Sequence, residues 1–371
     1  MENKKRALAF LLALCFVGCV GVAFLLGRNS VDPFVGYSPN PEREYLVTAE
    51  IFQLSAEANA QMLQAFRQAK TQVDALLQKC EDPAQVDWQL LRNENGQAEM
   101  YYRGKRVAVL SDIDDTLVDG AHYSADVIGA GGDWNNAAFA RFLMSEKCTA
   151  LPGAVELMNY CSENGIEVFY VTNRYDQGYK IGQSDSMGSY QKCIESVGEG
   201  SYRSADGKEI GVSLYQLYGK SAYDITLASM EELGFPVDDQ HLIVNDLKLK
   251  GSSKESARQA IRNGCTAFPN GVVPTENALG CKDTLSCEAH EVVMLLGDQL
   301  SDFTDVFDEE GMDAVNRVEA LDAYRDKLGS EWILLPNAVY GAALNHALDY
   351  GVPELFGEYS YVTAQKGTHA P

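Results

Sequence analysis

The chain has 371 residues, and 46% of them are hydrophobic, which is enough apolar material for the core of one large domain or two ordinary ones. Its 53 acidic and 30 basic residues give a formal net charge of -23. This charge argues against nucleic acid and anionic lipid headgroups as partners of the folded body, and an anionic small substrate would need a local metal ion or lysine.

The N-terminal segment predicts a membrane anchor. Basic residues at positions 4–6 precede an uncharged, mostly apolar run over residues 7–27. At about 1.5 Å per residue this run would be roughly 31 Å long as a helix, which is enough to cross a bilayer. The basic flank, residues 1–6, should stay in the cytoplasm, so the rest of the chain lies outside the cytoplasmic membrane. A lipoprotein modified at Cys19 and a protein secreted after signal cleavage are the alternatives, and both give the same location.

After a linker over residues 28–45, the pattern predicts an α/β domain over residues 46–357. Apolar residues at helical spacing from Thr48 to about Gln78 predict one long amphipathic helix. Short apolar runs then alternate with helix-like stretches, which indicates a Rossmann-like parallel sheet with helices on both faces. These runs are RVAVLS (106–111), IEVFYV (166–171), HLIV (241–244), VVMLL (292–296) and WILL (332–335).

Two stretches interrupt this alternation and predict insertions. Residues 176–221 and 264–290 contain many polar and turn-forming residues, and we expect them to form a small helical cap on the sheet. Two of the nine cysteines lie in the anchor, so an odd number remains and at least one thiol is unpaired in a monomer. No pair of cysteines has the spacing of a zinc site. Residues 358–371 are expected to be a loose tail.

The first apolar run ends in SDIDDT, which brings Asp112, Asp114 and Asp115 together. Like charges at this spacing repel, so the arrangement needs a counter-ion or a chemical use. A calcium loop would need glycine at its sixth position, where Leu117 stands, and a strand rather than a helix leads in. A carboxylate can instead form an aspartyl-phosphate when a metal neutralises charge and a second group protonates the leaving oxygen. Asp112 and Asp114 fit these two roles. The alternative is an acidic loop after a strand that has no catalytic role.

Groups that would complete such a site follow the next apolar runs, and in parallel sheets ligands bind at the carboxyl ends of strands. Thr172 follows the second run and has a hydroxyl that can donate to a phosphate oxygen. Asp298 and Asp302 follow the fourth run and suit a magnesium ligand and a carboxylate behind it. Taken singly, each residue also fits a structural role such as an N-cap. Three lysines after the third run could hold a phosphoryl group: Lys248, Lys250 and Lys254.

The order of these groups resembles that of the haloacid dehalogenase-like (HAD) superfamily. The order is a carboxylate pair, a hydroxyl, a lysine and a second carboxylate pair, each just after a strand. Within it, the sequence resembles the class C acid phosphatases (HAD subfamily IIIB), which are cell-surface or lipoprotein nucleotidases. The resemblance spans residues 53–341. It rests on the stretches QLSAEANAQMLQAFRQAK, SDIDDTLVD, DW, ALPGAVELMNY, VFYVTNR, GSSK, LLGDQLSDF and WILLPNAVYG.

The resemblance implies a magnesium-dependent phosphomonoester hydrolase with a HAD fold. Asp112 would be the nucleophile, and Asp114 would be the general acid and then the base. Asp112, the backbone carbonyl of Asp114 and Asp298 would ligate Mg2+, with Asp302 behind them. Residues predicted to contact the substrate are Thr116, Thr172, Asn173, Lys254 and Tyr340, the last as a ring on which a nucleobase stacks.

The implied substrate is a small phosphomonoester, with nucleoside monophosphates as the leading class, and a homodimer is implied as well. The aromatic residue that usually precedes the DW pair is absent here, where the chain reads VIGAGGD. A dehalogenase would not need the acid at Asp114, and a transport ATPase would need a lysine directly after Asp112. From a different class, the alternative is a catalytically inactive surface binder that keeps the fold.

Overall fold

The computed structural model of the chain describes residues 41–130, 134–180, 201–203, 209–245, 253–264, 288–309, 312 and 314–340. Several predictions fall outside these ranges: the stub, the anchor with Cys19, most of the linker, Lys248, Lys250, most of the second insertion and the tail. Within the described ranges, no helix has both the length and the apolar character needed to span a membrane. By its internal contacts the chain divides into Met1–Glu44 and Tyr45–Pro371, and the sheet and the site lie in the second unit.

Helices and strands alternate along most of the chain. The helices are α1 (Pro41–Gln53), α2 (Ala56–Glu81), α3 (Ala121–Ala130), α4 (Asn136–Leu143), α5 (Ala154–Glu163), α6 (Leu214–Tyr218), α7 (Ala222–Glu232), α8 (Glu255–Asn263) and α9 (Ala314–Leu321). The strands are β1 (Trp88–Arg92), β2 (Ala98–Tyr102), β3 (Lys105–Ser111), β4 (Val118–Asp119), β5 (Thr149–Ala150), β6 (Glu167–Thr172), β7 (Gln177–Lys180), β8 (Ser201–Arg203), β9 (Glu209–Ser213), β10 (Leu242–Val244), β11 (His290–Gly297) and β12 (Trp332–Leu334). Short 3-10 turns cover Leu300–Asp302, Asp305–Asp308 and Asp322–Lys327.

The prediction of one long helix from Thr48 to Gln78 is wrong, because the chain forms two helices, α1 and α2. Ser55 separates them with an extended backbone, and its side chain accepts a hydrogen bond from the Ala58 N–H. This N-cap satisfies a free donor of the first turn of α2 and ends α1. One face of α2 is then buried against the core through Ala58, Met62, Phe66, Ala69, Val73 and Leu76.

The central sheet is mixed, so the predicted parallel sheet is confirmed only for its middle strands. Its middle consists of five parallel strands, which correspond to the five predicted apolar runs. Their order across the sheet is β10, β6, β3, β11 and β12. The strands β1 and β2 add to the start of β3 and are antiparallel. Only Arg103 and Gly104 connect β2 to β3, both at positive φ, and a two-residue turn of this kind can join only antiparallel strands.

The parallel strands bury side chains on both faces of the sheet. In β3, Val107 and Val109 pack into one apolar cluster with Met62 of α2. The alternate residues Ala108 and Leu110 pack into a second cluster, which includes the face of α8. Because successive side chains of a strand point to opposite faces, apolar residues at every position require helices on both sides.

The described part of the first insertion is a small antiparallel sheet, so the expected helical cap is wrong there. β9 pairs with β7 on one side and with β8 on the other, and the one-turn helix α6 follows. The Asn136 side-chain amide of α4 donates to the backbone carbonyls of Tyr175 and Gln177 at 2.7 and 2.9 Å. These bonds tie α4 to the start of the insertion, beside the carboxyl end of β6.

A partly buried cluster of charged side chains lies at the opposite edge of the sheet, where the strands begin. Oε2 of Glu167, in β6, lies 2.5 Å from Nε2 of His290 and 3.6 Å from Nε2 of His241. Oε1 of Glu167 pairs with Nη2 of Arg106 at 3.0 Å. Burial would raise the pKa of Glu167, but the two histidines and Arg106 outweigh burial and hold the pKa well below its usual range. Burial would lower the pKa of His241, but Asp238 and Glu167 raise it to about 9.

We expect Glu167→Gln to destabilise the fold by up to roughly 3 kcal/mol near pH 6, since removing the charge from these partly buried ion pairs leaves the partners of Glu167 uncompensated. Because the folded-state pKa of Glu167 is lowered, its contribution is present above its ordinary pKa of 4.5 and is lost as the pH falls. The pKa of His241 is raised, so its contribution is full below pH 6.5 and is lost as the pH rises through about 9. Thermal unfolding of both proteins at pH 6 and pH 9.5 should therefore show a smaller difference at the higher pH.

Glu99→Gln is the matched control, because Glu99 pairs with the same Arg106, at 3.3 Å, on the neighbouring strand. This variant should show no comparable decrease of its effect between pH 6 and pH 9.5. The same pH dependence in both variants would mean that the histidines do not carry the effect.

Candidate active site

The carboxyl ends of the central strands form the floor of a cavity of about 370 Å3. Adjacent strand ends are held in register because the Asp112 N–H donates to the Leu296 carbonyl at 3.0 Å and the Leu335 N–H donates to the Gly297 carbonyl at 2.9 Å. The structure brings nearly all of the predicted site residues onto the cavity wall: Asp112, Asp114, Thr172, Asn173, Lys254, Asp298, Asp302 and Tyr340. Thr116 lies directly beneath them, bonded to two of the carboxylates.

Lys254 is the predicted lysine that the structure brings to the carboxylates. Its Nζ donates to Oδ1 of Asp112, and to Oδ1 of Asp302 at 2.7 Å. The side chain is nearly buried, at 8% exposure. Burial by itself would lower the pKa of Lys254, but Asp112 and Asp302 outweigh this effect and raise the pKa above its ordinary value. Lys254 therefore carries a permanent positive charge beside the predicted nucleophile.

Three carboxylates converge at the floor of the cavity. Asp112, Asp298 and Asp302 each offer an oxygen atom, and these atoms all lie within 4.8 Å of one another. The Thr116 hydroxyl lies between two of them, 3.2 Å from Oδ2 of Asp112 and 3.1 Å from Oδ1 of Asp298. Asp302, which was predicted to lie behind the metal ligands, belongs to the same cluster. An all-oxygen set of this kind suits Mg2+ or Ca2+ rather than metals that prefer thiolate or imidazole.

The charges of this cluster fit a bound cation. Burial raises the pKa of Asp298 to about 7, and the neighbouring carboxylates of Asp302 and Asp115 raise it too. Burial also raises the pKa of Asp112, against the attraction of Lys254. Among the described residues of this cluster, one ammonium group thus faces three carboxylates, and a divalent cation among their oxygens would favour the charged forms of Asp112 and Asp298. The residues present therefore fit a divalent metal ion.

The loop after β11 is shaped by a close approach of its backbone to a side chain. A Cβ atom on Gly297 would lie 2.4 Å from Cβ of Asp302, so only glycine fits there. The Gln299 N–H donates to Oδ2 of Asp302 at 3.0 Å, which makes Asp302 a cap as well as a cluster member. Asn337 donates to Oδ2 of Asp298 at 2.7 Å and fixes that carboxylate from the loop after β12. Asn337 was not predicted, since an isolated asparagine after a strand carries no signal of its partner.

Arg258 holds the same loop from the side of α8. Its guanidinium is almost wholly buried and donates to the carbonyls of Ser301 and Asp302 at 3.1 and 3.0 Å, and to Oδ1 of Asp305 at 2.7 Å. Arg258 lies one helical turn after Lys254. The start of α8 therefore positions both residues, since Lys254 is its N-cap and Arg258, in its first turns, anchors the loop of Asp302.

Asp114 is held by a residue that sequence reasoning missed. Arg174 follows β6 and donates to Oδ1 of Asp114 from Nη2 at 2.7 Å and to Oδ2 from Nε at 3.1 Å. The Thr172 hydroxyl is more distant, 3.4 Å from Oδ2. Arg174 stands in the VTNR stretch, directly after the predicted residue Asn173, but the sequence does not indicate which side chain it meets.

Aromatic rings form one wall of the cavity. Tyr340 lines it, but its hydroxyl donates to the backbone carbonyl of Asp114 at 3.3 Å, so the ring is also anchored beneath the site. Trp134 lines the cavity as well and is 44% exposed. Its ring packs against the ring of Phe139, with centroids 4.5 Å apart. Trp134 is thus an exposed ring at the cavity, supported from behind.

Comparison with known proteins agrees with this arrangement. Residues 40–185 match the model of the HAD superfamily, subfamily IIIB (acid phosphatase). The chain is similar to the class C acid phosphatase from Bacillus anthracis in a crystal structure with tungstate bound, with 18% identity, a TM-score of 0.52, and coverage of 87% of this chain and 96% of that chain. A second structure of the class C acid phosphatase from Bacillus anthracis has the same identity and TM-score and is covered over 97% of its length. At this identity, the two structures show a common fold.

Proposed function

We propose that this chain is a phosphomonoester hydrolase of HAD subfamily IIIB, whose model matches residues 40–185. We propose further that it acts through an aspartyl-phosphate on Asp112 with Mg2+ as cofactor. The observation that carries the proposal is the convergence of Asp112, Asp298 and Asp302 within 4.8 Å at the floor of the cavity. The cavity is large enough for a small ester, and Lys254 and Asp114 lie on its wall.

In the first step, a carboxylate oxygen of Asp112 forms a bond to phosphorus while the bond from phosphorus to the ester oxygen breaks. The departing oxygen keeps the electron pair of that bond and takes a proton from the Asp114 carboxyl. Lys254, fixed beside Asp112, faces the phosphoryl oxygens and stabilises their charge. The alcohol then leaves the cavity, and the phosphoryl group remains on Asp112.

In the second step, Asp114, now a carboxylate, removes a proton from a water molecule. The water oxygen forms a bond to phosphorus, and the bond from phosphorus to Asp112 breaks. Inorganic phosphate leaves, Asp112 is again a carboxylate, and Asp114 again carries the proton needed for the next ester. The two steps together add one water across the ester bond.

The proposed metal site uses the carboxylates of Asp112 and Asp298 and the backbone carbonyl of Asp114, with Asp302 beside them. When bound, Mg2+ would neutralise the charge that otherwise repels the phosphate dianion from Asp112. The carbonyl of Asp114 already accepts a hydrogen bond from Tyr340 at 3.3 Å. A carbonyl oxygen has a second lone pair, so this bond leaves room for a metal contact.

We also propose that nucleoside monophosphates are the main substrate class. Support comes from the aromatic wall, because a nucleobase can stack on an exposed ring. Trp134 is the better placed ring for this role, since it is exposed at the cavity, whereas Tyr340 is anchored by its hydroxyl. Trp134 could thus replace the upstream aromatic residue that the sequence lacks.

An extracytoplasmic location is part of the proposal and rests on the apolar run over residues 7–27. A homodimer is likewise carried only by the resemblance to the class C enzymes. The location is tested by fractionation of the native cells, in which the full-length protein should sediment with membranes. Recovery from the medium after trimming near residue 20 to 27 would indicate a cleaved signal peptide instead.

Metal removal tests the proposed function directly. A protein starting near Asn29 should hydrolyse 4-nitrophenyl phosphate. Its activity should fall more than about tenfold in EDTA and recover with Mg2+, because the single ammonium group of Lys254 does not offset the three carboxylates of the described cluster. Activity that is unchanged in EDTA would contradict the metal role. A protein that binds nucleotides but hydrolyses no ester at any metal concentration would instead be the inactive binder.

A further inference from the structure

Arg174 makes a two-point contact with Asp114. Nη2 donates to Oδ1 at 2.7 Å, and Nε lies 3.2 Å from Oδ1 and 3.1 Å from Oδ2. The guanidinium is nearly buried, with its side chain 5% exposed, whereas the Asp114 side chain is 24% exposed toward the cavity. Because the guanidinium is planar, two parallel hydrogen bonds fix both the position and the tilt of the carboxylate.

Arg174 is itself held from three sides. Its Nη1 donates to the Thr226 hydroxyl at 3.0 Å, and Thr226 is fully buried in α7 and donates to the Ala222 carbonyl at 2.7 Å. The guanidinium lies 5.7 Å from the centre of the Phe139 ring. The backbone N–H of Arg174 donates to the Thr172 hydroxyl at 3.3 Å. A continuous set of contacts thus runs from α7 through Arg174 to Asp114.

We propose that Arg174 is a positioning residue for proton transfer at Asp114 and that Thr226 fixes Arg174 in turn. The inference rests on the proposed function, in which Asp114 is the acid and then the base. Proton transfer needs a carboxylate oxygen within about 2.6–3.2 Å of the reacting oxygen. Without the two hydrogen bonds from Arg174, the partly exposed Asp114 side chain can rotate toward water. A misplacement of about 1 Å can lower the rate on the order of 10²-fold.

Arg174 takes no proton in either proposed step, so its effect should depend on how much the reaction needs Asp114. We expect Arg174→Ala to lower kcat about 10²-fold on an alkyl phosphate and much less on 4-nitrophenyl phosphate, whose leaving group needs no proton. KM and the inhibition constant for inorganic phosphate should change little. Guanidinium ion added to the Arg174→Ala protein should restore part of the alkyl phosphatase activity. Equal losses on both esters, with weaker binding of phosphate, would mean that Arg174 binds the phosphoryl group instead, which overturns the inference.

The double variant Asp114→Asn, Arg174→Ala separates action through Asp114 from an independent role. If Arg174 acts only through Asp114, the double variant should be about as active as Asp114→Asn alone. The effects of substituting two residues that contact each other and serve one function are not additive. Losses that multiply would overturn the inference. If Asp114→Asn loses more activity on the alkyl phosphate than on 4-nitrophenyl phosphate but Arg174→Ala does not, Arg174 is not a positioning residue for Asp114. The proposed function would be unaffected by that result. If Asp114→Asn itself loses the same factor on both esters, Asp114 is not the general acid, and the positioning role of Arg174 is excluded as well.

Thr226→Val gives a second measurement, because it keeps the volume of the side chain and removes the bond to Arg174. We expect a loss of a few fold on the alkyl phosphate and almost none on 4-nitrophenyl phosphate. Thr226→Ser keeps a hydroxyl and is the matched control, with activity close to that of the unmodified protein. A Thr226→Val protein that folds and shows no difference between the esters would contradict the positioning chain, even where Arg174→Ala cannot be purified.

Discussion

Asp112→Asn should abolish the hydrolysis of every phosphomonoester, whatever its leaving group. The amide keeps the size of the side chain, but it removes the attacking charge and one charged ligand of the proposed metal site. Lys254, Asp298 and Asp302 remain in place, so the variant should still fold around the same cavity. Steady-state assays with an alkyl phosphate, a nucleoside monophosphate and 4-nitrophenyl phosphate should all fall below detection, and no phosphorylated protein should form.

Asp115→Asn is the matched control, since it makes the same chemical change three residues further along. Asp115 accepts a hydrogen bond from the Gly120 N–H at 2.9 Å and is not among the described residues that line the cavity. Its backbone has a positive φ of 55°, which asparagine tolerates. This variant should keep most of the activity. Turnover by Asp112→Asn at a rate comparable to that of the control would show that another group is the nucleophile.

Asp114→Asn should lose about 10²- to 10⁴-fold of its activity on an alkyl phosphate or nucleotide, the usual range for loss of a general acid or base. The first step on 4-nitrophenyl phosphate should survive, because that leaving group departs without a proton. The second step still needs the base, so the phosphorylated form of Asp112 should accumulate with this ester. Mass spectrometry of protein quenched during turnover would detect the added phosphoryl group.

The result that would contradict the role of Asp114 is an equal loss on both esters with no phosphorylated protein under any condition. Such a result would fit loss of the metal site through a moved backbone carbonyl. Comparing Mg2+ affinity in Asp114→Asn and the unmodified protein separates the two explanations. The proposed role requires that the affinity change little, because the variant keeps the Asp114 carbonyl, Asp112 and Asp298.

Local sequence patterns were sufficient to locate the main elements of the sheet. Each parallel strand appeared as a short apolar run, because both of its faces are buried and most of its side chains are therefore apolar. The β1 and β2 hairpin was missed for the converse reason: four of the five residues of β1 are exposed, and its sequence, WQLLR, forms neither a continuous apolar run nor a regular alternation. The break between α1 and α2 was also missed, since the apolar spacing alone did not indicate that Ser55 would act as an N-cap.

The candidate site was predictable to the extent that strand ends determine it. Asp112 and Asp298 directly follow β3 and β11, and Thr172 is the last residue of the neighbouring parallel strand β6, so the three meet at one edge of the sheet however the loops fold. The pattern of residues left three lysines open and only the family resemblance pointed to Lys254, because the position of the lysine depends on where α8 starts. The structure brings Lys254 to Asp112 across 142 residues of chain.

The pattern of residues alone was enough to predict the alternation of strands and helices and the acidic and polar groups at the strand ends, and through these groups the class of chemistry. Only the tertiary structure decided which side chains control those groups: Arg174 on Asp114, Asn337 on Asp298, and Arg258 on the loop of Asp302. The physical reason is that burial leaves a periodic pattern in the sequence, whereas a hydrogen bond between two loops depends on where each loop ends in space. Arg174 and Asp114 are 60 residues apart, and no local pattern records their contact.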